Sequence, residues 1–500
     1  MLIVEKSNCQ REVSSTMKRS THDRFQPVEI GQIDGTRALV EAVPESMSAF
    51  AGAPMIAATE RKVGLIAEFA KRIRDPRAAH MVDHKAADIL MQRACQTAIG
   101  YSDGNDCDFL RSDPAILQAL NRHPVWGLPG VSQETTSRFE AKAVDATNLD
   151  SVQNLFMDHY LKQHKKAPKR IELDIDGSII KTYGAQEGAV YRGGKYEHEM
   201  YFPLFMFICG WLVAATLRMG DQGESSTVLA ELKKAVLRLR AKWPRVKITV
   251  RMDAAFGSPG LYRYCRQEHI DYEIGLRPTS VLDLYAKPFM QQAEQEFRRE
   301  FGEPLFVKAD GTKDGKTAQA EHARVRRLET DARMAAEWTR RQRQVRVVGE
   351  FYYQSEYWDD RERVIVRVDF TDKGLNVRYV MVSQKRGVPK RIYEEQYCQR
   401  GLMEQFIGKF KQTGQRLSAQ TFFANQFRIT LYGISYQLLF HLQSYLSSDY
   451  ERCDVNTLRK KILVMPMTVR CTAKKIVVQI SERHPHCKIF LSTWRRLAAA

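Results

Sequence analysis

Several things are scarce in this 500-residue chain, and each scarcity removes a class of protein. The nine cysteines are scattered, with no C-x-x-C pair, so neither a disulfide framework nor a zinc ribbon stabilises it. An odd set of thiols without framework spacing reads as reduced cysteines of a cytoplasmic protein. His484-Pro-His486-Cys487 has ligand-type residues but no second cluster to complete a four-ligand set. Apolar runs are short. The longest, Tyr201 to Leu217, contains Pro203 and Gly210 and falls short of the roughly 20 residues that span a bilayer. It reads as two buried strands joined near Cys209-Gly210. Gly193-Gly194 lacks the G-x-G-x-x-G spacing of a dinucleotide site and reads as a turn, which gives no reason to expect a small-molecule cofactor. No internal repeat or low-complexity segment is present.

What the chain has in excess is positive charge. Its 77 Lys+Arg against 59 Asp+Glu give a formal net charge of +18, with 44% hydrophobic and 27% charged residues. That is a globular composition with a polyanion, first of all nucleic acid, as the expected partner. Length suggests about three units at roughly 150 residues each. The polar start, residues 1–25, has no apolar signal core and reads as a flexible tail.

From Glu60 to Gly100 the periodicity is helical, with Gly100 placed to cap a helix following Ala86. Ser132 can N-cap a segment ending near Glu140. This segment is either the recognition helix of a helix-turn-helix, with Arg138 facing outward, or an ordinary capped surface helix. After the basic linker Lys162 to Arg170 the period becomes two: Ile171, Leu173 and Ile175 alternate with Glu172, Asp174 and Asp176. The apolar strand pair follows, then a helix from Ser226 to Trp243 with Val228, Leu232, Val236 and Leu239 on one face. A strand from Val246 ends at Asp253, a helix runs from Ser258 to Glu268, and a strand covers Ile270 to Gly275. This order describes a mixed sheet covered by helices. Beyond Arg277 alternation lapses, and an arginine-rich stretch occupies residues 321–346. Three strand-like stretches, Val345–Tyr353, Val364–Phe370 and Val377–Val382, then form an antiparallel meander turning at Asp372-Lys-Gly374. Helical periodicity returns from Ile392 to about Leu446, and a basic tail begins at Glu451.

On an ideal helix from Ile392, Tyr397, Arg400, Glu404 and Lys411 share one stripe roughly 60° wide and about 21 Å long. Leu402, Met403, Phe406 and Phe410 fall on the opposite, packing side. Gly401 and Gly408 flank the stripe, where glycine costs helix stability but admits close approach of another backbone. One account is a solvated face with an i, i+4 Arg–Glu pair. The other is a surface meeting phosphates, with the cations and phenol on the phosphates and the carboxylate on a metal.

The spacing Tyr397-x2-Arg400-x3-Glu404-x6-Lys411 resembles the signature of a branch of bacterial insertion-sequence DDE transposases with a ribonuclease-H-like catalytic core. Leu173-Asp-Ile-Asp176-Gly-Ser178 resembles the first carboxylate motif of that branch and Arg251-Met-Asp253-Ala-Ala-Phe256 the second, over about residues 45–450. The resemblance implies an α/β fold: a helical DNA-binding region at 26–165, a discontinuous core at 166–276 and 390–450, a β-rich insertion at 277–389, and a basic segment at 451–500. It implies Asp176, Asp253 and Glu404 as catalytic acids holding two Mg²⁺, with Mn²⁺ able to substitute. Asp174, on the same strand face as Asp176, is the other contender for first acid. Tyr397, Arg400 and Lys411 would bind the DNA of the transposon end. Trp358 would either hold a flipped base or pack at a strand end. The implied partners are double-stranded DNA, both transposon ends and target, and a second copy of the chain in the DNA complex. The implied setting is the bacterial cytoplasm, at the nucleoid. Two other functions fit the same residues: a transposase-derived DNA-binding protein that no longer cuts, and a Mg-dependent nuclease that never joins strands.

Overall fold

A computed structural model describes residues 26–182, 184–193, 197–220, 227–304, 343–450, 453–472 and 474–499. The 1–25 tail and the arginines from 324 to 341 lie outside the described residues. Among those described, no helix is long and apolar enough to cross a membrane, and no cysteine forms a disulfide.

A mixed sheet of eight strands organises the molecule. In chain order these are Arg170–Gly177 (β1), Leu204–Ile208 (β2), Trp211–Thr216 (β3), Lys247–Met252 (β4), Asp271–Leu276 (β5), Gln344–Tyr353 (β6), Glu362–Thr371 (β7) and Gly374–Val382 (β8). Their spatial order is β6-β7-β8-β5-β4-β1-β2-β3. Strands β1, β4 and β5 run parallel, and the others join antiparallel. The apolar run at 201–217 is the expected hairpin. Ile208 pairs with Trp211, and Cys209 and Gly210 take the positive φ angles of 49° and 86° that a two-residue turn requires.

The sheet is covered on both faces. On one, Ile171, Leu173 and Ile175 pack with Val228–Lys242 (α1) and Pro259–Gln267 (α2). On the other, Phe205, Phe207 and Leu212 pack with Gly401–Thr413 (α4) and Phe422–Gln443 (α5). Helix α5 is buried almost all round, as a helix apolar on every side must be. Its Gln437 accepts a hydrogen bond from Leu212 N (3.1 Å) and its Gln426 accepts one from Leu217 N (2.8 Å), so the edge of β3 is capped by side chains.

Several expectations need correction. The region before residue 165 is not wholly helical: strands Val28–Ile33, Thr36–Val40 and Ser46–Ser48 precede its helices. The β-rich insertion carries a long helix as well as strands. Its meander extends the main sheet through β8 on β5, and Ser280–Phe301 (α3) is a 22-residue helix containing Pro288. The helical stretch after 392 is not continuous. A π turn, Ile392–Gln396, and a 3₁₀ turn, Tyr397–Arg400, precede α4, and Gly414 breaks the chain before α5. A side chain at Gly414 would meet the Tyr432 ring at 2.4 Å. The final segment is folded in: Met467–Thr472 pairs with both Lys475–Gln479 and Ser46–Ser48.

Candidate active site

Parallel strands β1, β4 and β5 place their same-face residues in rows. In one row Arg251 lies beside Asp174 on one side and Glu273 on the other. The next same-face positions toward the strand ends are Asp176, Asp253 and Gly275.

The inner row is closed. Arg251 donates from Nε and Nη2 to the two Asp174 oxygens at 2.6 and 2.8 Å, a bidentate pair, and its Nη1 reaches the Gln396 carbonyl at 3.0 Å. Gln384 donates to Glu273 (3.3 Å) and to the Gln396 side chain (2.8 Å). Glu273 Oε2 has no partner among the described residues, and burial, opposed by Arg251, pushes this carboxyl up to about 7. Asp174 is thus committed to Arg251. The network grips the backbone just ahead of Tyr397, a job the Arg-x-Asp spacing at 251–253 could have suggested.

The outer row is open. Asp176 Oδ1 accepts from Gly177 N (2.8 Å) and its Oδ2 from Arg400 Nη2 (2.6 Å), while Arg400 stands 3.9 Å from Asp253. Asp253 Oδ1 accepts from Ala255 N at 2.8 Å. Burial pushes the Asp176 carboxyl up to about 6. Arg400 opposes the shift, while the charges of Asp253 and Glu404 add to it. Glu404 is therefore near enough to act on Asp176, although its side chain is exposed in the first turn of α4. Arg400 Nε is buried and has no hydrogen-bond partner among the described residues.

Tyr397 and Arg400 keep company with Glu404 by a route other than an α-helical stripe. In a 3₁₀ turn residues three apart eclipse one another, so these two side chains align. The Tyr397 hydroxyl rests over Gly275, where a Cβ would come within 2.9 Å of it, and burial pushes the phenol up to about 12. Lys411 lies two turns along α4, on the Glu404 side. Burial lowers its ammonium below the usual lysine range. It lines a cleft of about 670 Å³ with Lys181 and Arg416 and a second of about 310 Å³ with Ser102 and Asn456. Gly401 and Gly408 face open space where a Cβ would stand. Leu402, expected to pack, is exposed, whereas Met403 and Phe410 are buried.

Two candidates lie apart from this cluster. Arg138 is exposed on the helix Gln133–Glu140, capped by Ser132, and pairs with Glu134 at 2.9 Å. Trp358 packs edge-on against Tyr353 and Tyr262 at centroid distances of 5.3 and 5.9 Å, in a loop tied to α2 by Asp359 with Arg263 and Arg266.

Two acids from distant parts of the chain, Asp176 and Asp253, thus approach one arginine, and a third, Glu404, acts on Asp176 through its charge. Among the described residues, no three His, Cys, Asp or Glu side chains come close enough to hold a metal ion together. The donor chemistry fits one nonetheless. Asp176, Asp253 and Glu404 offer hard oxygens, burial and then the charges of the other two raise Asp176, and Arg400 supplies positive charge between Asp176 and Asp253.

The model of the family "Transposase DDE domain group 1" matches residues 32–500. The chain belongs to that family, which places it among the DDE transposases, enzymes that generally work with divalent metal ions. No curated protein matches it by sequence. Among solved structures it is similar to the piggyBac transposase in a synaptic complex with hairpin DNA, at 10% identity and a TM-score of 0.38, over 83% of this chain and 78% of that one. The family match, not this distant likeness, defines the class.

Proposed function

We propose that the chain is an active cut-and-paste DNA transposase in which Asp176, Asp253 and Glu404 are the catalytic acids. The observation that carries the reading is the sharing of Arg400 by Asp176 and Asp253, at the ends of adjacent parallel strands, with the charge of Glu404 acting on Asp176. The strand order β3-β2-β1-β4-β5, with the first three antiparallel and the last two parallel to β1, is that of a ribonuclease-H-like core and supports it. Asp174 drops out as first acid because Arg251 holds both its oxygens.

Two Mg²⁺ ions held by the three acids would activate the attacking oxygen and stabilise the leaving one at phosphorus. The protein's own residues do the rest. Arg400 would hold a phosphate oxygen by exchanging it for Asp176, which now takes its Nη2, with Tyr397 beside it. Lys411 continues the positive track into the clefts it shares with Lys181 and Arg416. Gly401 and Gly408 leave room on α4 for a nucleic-acid backbone, since no described residue comes within 4 Å of where a Cβ would stand. Hydrolysis at a transposon end would free a 3′-OH for attack on target DNA, within a homodimer at the bacterial nucleoid. Arg138 would contribute as an exposed backbone contact, and Trp358, already packed, would have to leave its tyrosines to hold a base.

The test is incubation with the element's terminal DNA and Mg²⁺, wild type against Glu404→Gln. Wild type should cleave and join; the variant should bind equally and lose at least about a hundredfold in rate. Equal cleavage by both overturns the metal-site assignment. Binding without cleavage by both favours a DNA-binding protein, and cleavage without joining favours a nuclease.

A further inference from the structure

The segment before the first helix forms a two-stranded ribbon whose residues are almost all exposed. Val28–Ile33 pairs with Thr36–Val40 through a turn at Asp34-Gly35, both at positive φ (49° and 73°), the conformation of a tight two-residue hairpin turn. Its register shifts by one residue between Glu29 and Gly31. The effect of this bulge is to sort the side chains. Val28, Gly31 and Ile33 share a face with Thr36, Ala38 and Val40, while Glu29, Gln32, Arg37 and Leu39 occupy the other, where Arg37 pairs with Glu29 at 2.8 Å. One face is therefore free of charge, yet Val28, Ile33 and Val40 are each more than half exposed. An isolated two-stranded hairpin is marginal in water, and an amphipathic one with its apolar face bare is built to be covered.

A surface of matching character lies on the three-stranded sheet formed with the C-terminal segment. Lys475–Gln479 is an edge strand of that sheet and is exposed along its length. Its Ile476 and Val478 stand opposite Cys471 and Val469 on one face, but both are well exposed. Charge complements shape. Residues 28–45 carry Glu29, Asp34, Glu41 and Glu45 against Arg37 alone, whereas residues 467–479 carry Arg470, Lys474 and Lys475 and no acid. In a chain of net charge +18, an acidic apolar arm and a basic apolar edge form a specific pair.

We infer that the hairpin of residues 28–40 is an exchange arm: it lays its apolar face on Ile476 and Val478 of a second copy of this chain, and receives the second copy's arm in return. The contact is two-fold and closed, so it produces a dimer rather than a filament. The acidic arm also disfavours arm-on-arm pairing, in which like charges would meet.

Sedimentation equilibrium of the full chain without DNA tests this. Wild type should self-associate at micromolar concentration to twice its 57.6 kDa mass. Ile33→Glu with Val40→Glu on the arm, and separately Val478→Glu on the edge strand, should each weaken dimerisation at least about tenfold. Their melting temperatures, read where the protein is monomeric, should match wild type, since these side chains are exposed. Glu41→Lys should weaken the dimer, and adding Lys475→Glu should restore it in part. A wild type that stays monomeric overturns the inference, and hairpin amides protected from exchange in that monomer would show the arm folding back on its own chain. An unchanged dimer in the arm variant overturns it too, as does a dimer broken by the arm variant but not by Val478→Glu. None of these readouts depends on DNA cleavage, so failure of the proposed function would not affect them.

Discussion

Two aspartate–arginine pairs sit one same-face step apart on β1, and they are built for opposite ends. Asp174 and Arg251 are sealed, with side chains 3% and 7% exposed, and bind each other through two hydrogen bonds. Asp176 and Arg400, with side chains 14% and 12% exposed, share one hydrogen bond, beside an Asp253 side chain that is 42% exposed. The sealed pair can only hold. It ties β1 and β4 to the Gln396 carbonyl, and so sets where the following turn delivers Tyr397 and Arg400. The outer pair is the easier to part, because burial already pushes the Asp176 carboxyl up to about 6 and Arg400 gives it a single donor. Residue type does not separate the two pairs; enclosure does.

The comparison breaks most visibly at Arg251. Arg251→Met leaves Asp174 buried and unpaired, and should cost about 3–5 kcal/mol in urea denaturation. A loss below about 1 kcal/mol would mean the inner pair is not structural.

Glu273→Gln sharpens the same row through pH. The folded-state pKa of Glu273, about 7, lies above its ordinary value of 4.5, so its contribution is fully present below pH 4.5 and lost as pH rises toward 7. Wild-type stability should therefore carry a downward slope across that window, up to about 1.4 kcal/mol per pH unit from this group. The variant should flatten that slope and be the more stable protein at neutral pH. Parallel stability curves for the two proteins would refute the burial argument.

Arg400→Ala should be the mildest for folding, about 1 kcal/mol, because Asp176 can take up a proton when its partner leaves. It should reduce DNA cleavage strongly while increasing the rise in melting temperature produced by Mg²⁺ alone, since a competitor for Asp176 is gone. A smaller Mg²⁺ shift than in wild type would mean Arg400 helps the ion rather than competing with it.

Much of this was legible in the sequence where the signal is local. Period-two alternation gave β1, and an apolar run broken at Cys209-Gly210 gave the hairpin whose turn takes positive φ. The spacing of Tyr397, Arg400, Glu404 and Lys411 pointed to the site without its geometry. The rest depended on partners far away in the chain. Helix α3 escaped because Pro288 interrupts it and its buried face, Leu282, Ala286, Ala293 and Phe297, includes two alanines with little hydrophobic contrast. Nothing near residues 374–382 indicates that this strand will dock on β5 and enlarge the core sheet. The π and 3₁₀ turns ahead of α4 go undetected by a wheel that assumes one pitch throughout. Sequence spacing offers Arg400 a phosphate or Glu404 as partner but not Asp176, because that link spans 224 positions.

The pairing of Ser46–Ser48 with Met467–Thr472 also sets a clock for biosynthesis. At roughly 5–20 residues per second, the ribosome delivers the second strand some 20–80 s after the first. Until then the early strand lacks its partner and Leu463, whose backbone closes against Gly52, has not been made. The helices that follow Gly52 can collapse on one another during that wait. The seam that locks them to the rest of the molecule can close only once Met467–Thr472 has been made, so conditions that stall synthesis before that point leave that edge open to other chains.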